Sequence, residues 1–233
     1  MEKLYLRIEL ASDATFGRGD GVAGILDDEV QHDVFGCPYL AGRTLKGLLH
    51  EECVNLLFAL EHGPAGNSFD DAARLLFGAP GSRNADRGML QLGDAVLPKE
   101  LRRAVQREIA KSPAAWTRQE VLESLTTIRR QTALDPATGA PSKETLRTMR
   151  VILQGTIFAS ELTLKDVGAT EGSRVHGLLA ACVKALRRAG SGRNRGRGEI
   201  RATLHDEQGR DLTDEWFWAF AEEVRTCLPA SLT

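Results

Sequence analysis

The clearest pattern lies at the start of the chain. In residues 3–11, KLYLRIELA, the apolar positions Leu4, Leu6, Ile8 and Leu10 alternate with polar neighbours, the period of a half-buried β-strand. The pattern changes from Arg43 onward. Leu45, Leu48, Leu49, Cys53, Leu56, Leu57 and Leu60 recur at helical spacing and predict an amphipathic helix. A short second helix is predicted in FDDAARLLFG, with Ser68 as its N-cap and Gly78 as its stop. GMLQLGDAVLP reads as a strand, and KELRRAVQREIAK and TRQEVLESLTTI read as helices interrupted by Pro113. DPATGAPS is a strong turn built on Pro136 and Gly139. IRRQTAL and TLRTMRVILQGTIFASELTL flank it as the arms of an extended hairpin, the second running on into a core strand. RVHGLLAACVKALRRAG is a helix ended by Gly190, GEIRATLHDEQG a strand and turn, and DEWFWAFAEEVRTCL a closing helix. The order predicts an α+β fold with a ferredoxin-like (RRM-like) βαββαβ core. It is expected to form one domain over residues 1–233, with inserted helices at about 63–125 and a thumb-like β-hairpin at about 126–150.

Composition narrows the partners. The 233 residues carry a net charge of −2, with 42% hydrophobic and 27% charged residues, the balance of a water-soluble globular protein. No apolar run approaches the ~20 residues that span a bilayer, and the first residues lack a signal-peptide core, so a cytoplasmic chain with no membrane partner is expected. Cys37, Cys53, Cys182 and Cys227 are widely spaced in mostly apolar segments and read as buried free thiols. Lys184, Arg187, Arg188, Arg193, Arg195, Arg197 and Arg201 crowd one stretch against Glu199 alone, while the whole chain is slightly acidic. Any anion-binding role is therefore local.

Three constellations could carry chemistry. In GSGRNRGRG the glycines Gly192, Gly196 and Gly198 permit positive φ and close approach to a ligand. Arg193, Arg195 and Arg197 offer paired donors that suit phosphate oxygens. The loop follows a helix and precedes a strand, which is not the arrangement of a dinucleotide fingerprint; a solvated turn is the bland reading. The second constellation is GCPYLAGRTLKGLLH. Its glycines are too far apart for a P-loop, but Arg43, Thr44 and Lys46 open a helix whose N–H groups and dipole suit a phosphate backbone; an ordinary capped helix is the alternative. The third is an acidic loop, Asp20, Asp27, Asp28, Glu29 and Asp33, which reads equally as a solvated loop or as a place for a divalent metal or proton transfer.

Taken together these residues resemble the RAMP superfamily, and within it the repeated backbone subunit of type III CRISPR effector complexes. CPYLAGRTLKGLL is similar to the family's P-x-I-P-G-S-S-L-K-G helix start, and GSGRNRGRGEI to its C-terminal Gly-rich loop. IRRQTALDPATGAPS with LRTMRVILQGTIF is similar to its thumb hairpin and following strand. The resemblance implies a subunit that binds CRISPR RNA and complementary target RNA alongside other effector subunits, including copies of itself. It places RNA contacts on Arg43, Thr44, Lys46, Arg129, Arg130, Gly192, Arg193, Asn194, Arg195, Gly196 and Arg197. The family pattern G-x-I-D-x-P-V-x-x-D falls on GILDDEVQHD, which implies a catalytic, metal-holding aspartate at Asp27, with Asp28 as the alternate and Asp33 as a second, non-catalytic acid. The cofactor implied is Mg²⁺ or Mn²⁺, weakly bound without RNA. The chemistry implied is attack of a ribose 2′-OH on the adjacent phosphorus of a splayed nucleotide, leaving a 2′,3′-cyclic phosphate and a 5′-OH. Ala41, His50 and Glu29 depart from the family pattern, Glu29 standing where a proline is usual. A non-catalytic structural or capping subunit is therefore the alternative, and an unrelated nucleotide-binding enzyme a third possibility.

Overall fold

The computed structural model describes residues 2–22, 25–61, 68–79, 88–111, 115–133, 135, 137–140, 142, 145–165 and 169–227. Strand β1 (Glu2–Leu10) buries each of its alternating apolar residues, with Leu4, Leu6, Ile8 and Leu10 all at 1% exposure or less. It is central in a sheet with β2 (Leu90–Leu92), β5 (Ile157–Leu164) and β6 (Ile200–His205), in the order β2-β5-β1-β6 and antiparallel throughout. Helix α1 (Gly42–Glu61) follows the first core strand and α5 (Ala169–Ala185) the third, so the core has the βαββαβ plan expected from the sequence. Helix α5 is the hub of the helical layer, packing on α1, on α2 (Asp70–Phe77) and on α6 (Thr213–Thr226). Its residues Val175 and Leu178 to Val183 are buried between these helices and the sheet.

Several boundaries move for identifiable reasons. Phe69, not Ser68, holds the N-cap position of α2, because its wholly buried ring packs 4.8 Å from that of Phe220. Gly78 closes the helix as expected, with φ +86° and its N–H on the Arg74 carbonyl. The strand expected in GMLQLGDAVLP shortens to three residues; Ala95 and Val96 pair singly with Leu40 and Ala159 instead. Because β2 joins the core sheet, the second core strand lies within the stretch assigned to inserted helices. There it precedes α3 (Lys99–Ile109) and α4 (Arg118–Leu125); Pro113 lies outside the described residues. Thr117 starts α4 with a capping box to Glu120. The helix stops at Leu125, and Thr126, Thr127 and Ile128 turn to β structure. The hairpin is a separate two-stranded sheet of β3 (Thr126–Gln131) and β4 (Arg147–Ile152), in register from Thr126↔Ile152 to Gln131↔Arg147. Its second arm does not run straight into the core. A turn at Leu153–Thr156, with Gly155 at φ +82°, separates β4 from β5. Pro136 in the hairpin tip lies outside the described residues. Helix α5 ends at Ala185, before Gly190, because Arg188 and Ala189 pair with Glu199 and Gly198 ahead of β6.

The cysteines are free; Cys37, Cys53 and Cys182 are buried and Cys227 partly so. Among the described residues no helix is long and apolar enough to cross a membrane.

Candidate nucleic-acid interface

The loop between α5 and β6 is ordered by its glycines. Gly192 (φ +73°) and Gly196 (φ +75°), both left-handed, bracket a single 3-10 turn of Arg193–Arg195, closed by the Arg195 N–H on the Gly192 carbonyl at 2.8 Å. The turn is tied at both sides. The Ser191 N–H donates to the Thr15 carbonyl at 2.8 Å, and Arg188 donates to the Arg193 carbonyl. The arginines are thus presented from a backbone fixed by hydrogen bonds, with Arg195 itself exposed.

The acidic loop reaches the same place from the other end of the chain. The Asp27 N–H donates to the Thr148 carbonyl (2.7 Å), and Asp27 Oδ2 accepts from the Thr148 N–H (2.6 Å). The Asp28 carbonyl accepts from the Arg150 N–H (3.0 Å). Residues 27 and 28 therefore extend the β4 edge of the hairpin. Beneath them Glu29 is buried, and Arg150 Nε donates to its Oε1 (2.9 Å) and Oε2 (3.2 Å). Arg150 Nη1 reaches Thr126 Oγ1 at 3.3 Å. Glu29, which the sequence groups with a solvent- or metal-facing run, is the loop's anchor, and the charge that requires it is 121 residues away. Asp20 pairs with Arg18 (2.6 Å). Asp33 is structural: Oδ1 accepts from the Phe35 and Cys37 N–H groups, and Oδ2 pairs with Arg102.

Between loop and hairpin lies a cavity of ≈ 420 Å³ lined by Asp27, Asp28, Arg147, Met149 and residues Gly190 to Arg193, with Arg195 and Arg197. Four guanidinium groups and two carboxylates meet there. Arg197 is partly buried, donates to Met149 Sδ, and has its Nε buried with no hydrogen-bond partner. Burial pulls its pKa down from the ordinary guanidinium range, opposed by the charge of Asp28. A second cavity of ≈ 320 Å³ adjoins the first through Asp28, Gly190, Ser191 and Arg193, and adds Thr44 and Gln31.

The helix start is only partly a member of the site. Thr44 faces the second cavity and Arg43 is exposed beside it. The first N–H of α1, from Gly42, is capped by Asp94 Oδ1 at 2.8 Å, so that one donor of the helix start is already taken. Lys46 turns the other way and donates to the Leu90 carbonyl (2.8 Å), its pKa lowered by burial. Arg129 pairs with Asp13 Oδ2 (2.8 Å) at the hairpin base, and Arg130 is exposed on β3. The Asn194 side chain lies outside the described residues. Arg147 and Met149 were not legible as site residues, since nothing in the sequence marks which β4 side chains face the loop. The hairpin register could have supplied that signal only once the loop's docking was known.

Mg²⁺ or Mn²⁺ fits the donor set. Two adjacent carboxylates supply hard oxygen ligands, and Mg²⁺ commonly takes one or two carboxylates with substrate phosphates and water. Among the described residues no group of three or more His, Cys, Asp or Glu comes together, so the chain alone would offer an incomplete shell.

A four-stranded βαββαβ sheet, with a hairpin and a Gly-Arg loop closing one cavity, defines an α+β protein whose cavity joins four arginines and two aspartates. The family model of the RAMP superfamily matches residues 7–201, and the chain belongs to that superfamily. Among solved structures, a chain of the type III-B Cmr-beta cryo-EM structure bound to cognate target RNA superposes with TM-score 0.60 at 14% identity, covering 88% of this chain and 97% of the other. A chain of the apo-state Cmr-beta cryo-EM structure gives TM-score 0.59 at 14% identity, covering 91% and 98%. No curated protein sequence matches the chain.

Proposed function

We propose that this chain is a CRISPR RNA-binding backbone subunit of a type III effector complex, and that it cleaves complementary target RNA at Asp27. The observation that carries the reading is the single cavity in which Arg147, Arg193, Arg195 and Arg197 surround Asp27 and Asp28. The arginines bind phosphate oxygens, with their planar forks fixing orientation as well as charge. The glycine-bracketed turn sets the spacing of Arg193 and Arg195, and Thr44 adds a hydroxyl on the neighbouring cavity. The hairpin strand β4 holds Asp27 through its backbone and one carboxylate oxygen, so the acid is positioned by the same element that would part the RNA strands. The protein's share of the rate is then largely geometric, holding a splayed nucleotide so that its 2′-OH lines up with the leaving oxygen. A divalent cation, Mg²⁺ or Mn²⁺, would stabilise charge on the phosphate oxygens when bound. The similar Cmr-beta structure, bound to cognate target RNA, supports an RNA ligand and effector-subunit partners.

The test is purification with the neighbouring gene products, sequencing of the bound RNA, and addition of a complementary target with Mg²⁺. Asp27→Ala is expected to abolish cut products while guide binding is retained; unchanged cleavage removes Asp27 from the mechanism. A purely structural, guide-binding subunit is the second reading. It is favoured by the hydrogen bond that already occupies Asp27 Oδ2, and it predicts assembly on guide RNA with no products from the unsubstituted protein.

A further inference from the structure

A third cavity, ≈ 590 Å³, lies at the neck of the hairpin and is lined by Gln131, Thr132, Ala133, Thr145, Arg147 and Arg195. Arg147 and Arg195 also line the Asp27 cavity, so the two spaces meet at one pair of guanidinium groups. Resting on the RNA reading above, we propose that the hairpin neck is a second subsite for single-stranded RNA. In it Arg147 and Arg195 hold the phosphate between the two cavities, and Thr132 recognises the ribose of the nucleotide beyond it.

The chemistry of the walls selects that ligand. Both shared groups are cations, and both are exposed, Arg147 at the start of β4 and Arg195 in the Gly-Arg turn. Two such forks from different elements match the two free oxygens of a phosphodiester. Apart from the two arginines, the described residues that line the neck are neutral. Thr132 Oγ1 and Thr145 Oγ1 lie 2.8 Å apart, and Thr145 Oγ1 is further engaged by the Ala133 N–H and the Ser142 carbonyl. Thr145 is thus saturated by the fold, whereas among the described residues Thr132 reaches its neighbour's hydroxyl and, at 3.4 Å, the Ala133 carbonyl. A hydroxyl with spare capacity beside a phosphate clamp suits the ribose 2′-OH, the group that distinguishes RNA from DNA. Among the described residues no aromatic side chain lines the neck, so recognition there falls on the sugar and phosphate.

The experiment uses the full chain, a fluorescein-labelled oligouridylate and its 2′-deoxy counterpart, with affinity followed by anisotropy across a salt series. Arg147→Gln is expected to flatten the plot of log K against log salt by about 0.7, the value for one phosphate contact on a single strand. Arg103→Gln, the same charge change on an exposed residue of α3 outside the cavities, is the control. Thr132→Val is expected to lower the preference for ribose over deoxyribose about fivefold, the worth of one neutral hydrogen bond. An Arg147→Gln slope no flatter than that of Arg103→Gln, or an unchanged sugar preference in Thr132→Val, overturns the second subsite while leaving RNA binding intact. No binding of either oligonucleotide by the unsubstituted chain overturns the RNA reading itself, and the subsite with it.

Discussion

Replacing Arg150 with methionine removes one half of a buried ion pair and leaves the other half behind. The two side chains are 9% and 5% exposed, so solvent screens the interaction little. Glu29 would lose both contacts from Arg150 Nε and keep only the Val30 N–H on Oε1 (2.9 Å). Thr126 Oγ1 would lose its contact with Arg150 and keep its own bond to the Leu122 carbonyl. Stranding a buried charge in this way costs about 3–5 kcal/mol, a large part of the ~5–15 kcal/mol that a domain has. With a urea m-value of about 2 kcal/mol/M, the unfolding midpoint falls by about 1.5–2.5 M. The double variant Glu29→Leu/Arg150→Met, which removes both charges and keeps apolar volume, recovers most of that loss. Hydrogen exchange locates the effect: the Asp27 and Arg150 amides, which tie the acidic loop to β4, are expected to exchange faster in the single variant. A single variant within about 1 kcal/mol of the parent would refute the reasoning. So would a double variant no more stable than the single one.

Three further outcomes follow from the same geometry. Replacing Arg193, Arg195 and Arg197 together with glutamine is expected to weaken RNA binding and flatten its salt dependence by about 0.7 per lost phosphate contact; an unchanged slope returns the loop to a solvated turn. Gly198→Ala places a Cβ 2.1 Å from the Ala189 carbonyl at φ +72°, whereas Gly196→Ala meets nothing within 4 Å at φ +75°. Both carry the left-handed cost of about 1–2 kcal/mol, but only the first adds a backbone clash, so its melting point is expected to fall further, by more than about 4 °C. Burial, aided by the Asp33 charge, pushes the Cys37 thiol up from 9.0 to about 11. Between those values the unfolded chain has released a proton that the folded chain keeps, so stability falls as pH rises through that window. The stability difference between the parent and Cys37→Ala, measured by denaturant unfolding, is expected to shift against the parent above pH 9 and to stay constant below it.

Much of the frame was legible because it rests on local periodicity. The β1 alternation and the α1 stripe each mark a buried face, and Leu45, Leu49 and Cys53 are indeed inside. The glycines around Arg193–Arg195 announced a left-handed backbone, and all three stand at positive φ. The pattern extends α4 to Ile128 because Leu125 and Ile128 keep a helical spacing, although the hairpin is expected from about 126, where β3 begins. There β4 supplies the pairing that settles the matter.

The candidate site divides along the same line. The sequence by itself determined which groups are available: a run of acids near residue 27, arginines spaced by glycines near residue 195, and a helix opening at Arg43. Only the tertiary structure decided which of them meet. It turned Lys46 toward β2, covered the Gly42 N–H with Asp94, and buried Glu29 on Arg150. It also brought Arg147 to the Asp27 cavity. The physical reason is range. Periodicity and turn chemistry act over a few residues, whereas a buried charge or a shared cavity depends on partners brought near only when the sheet and hairpin close.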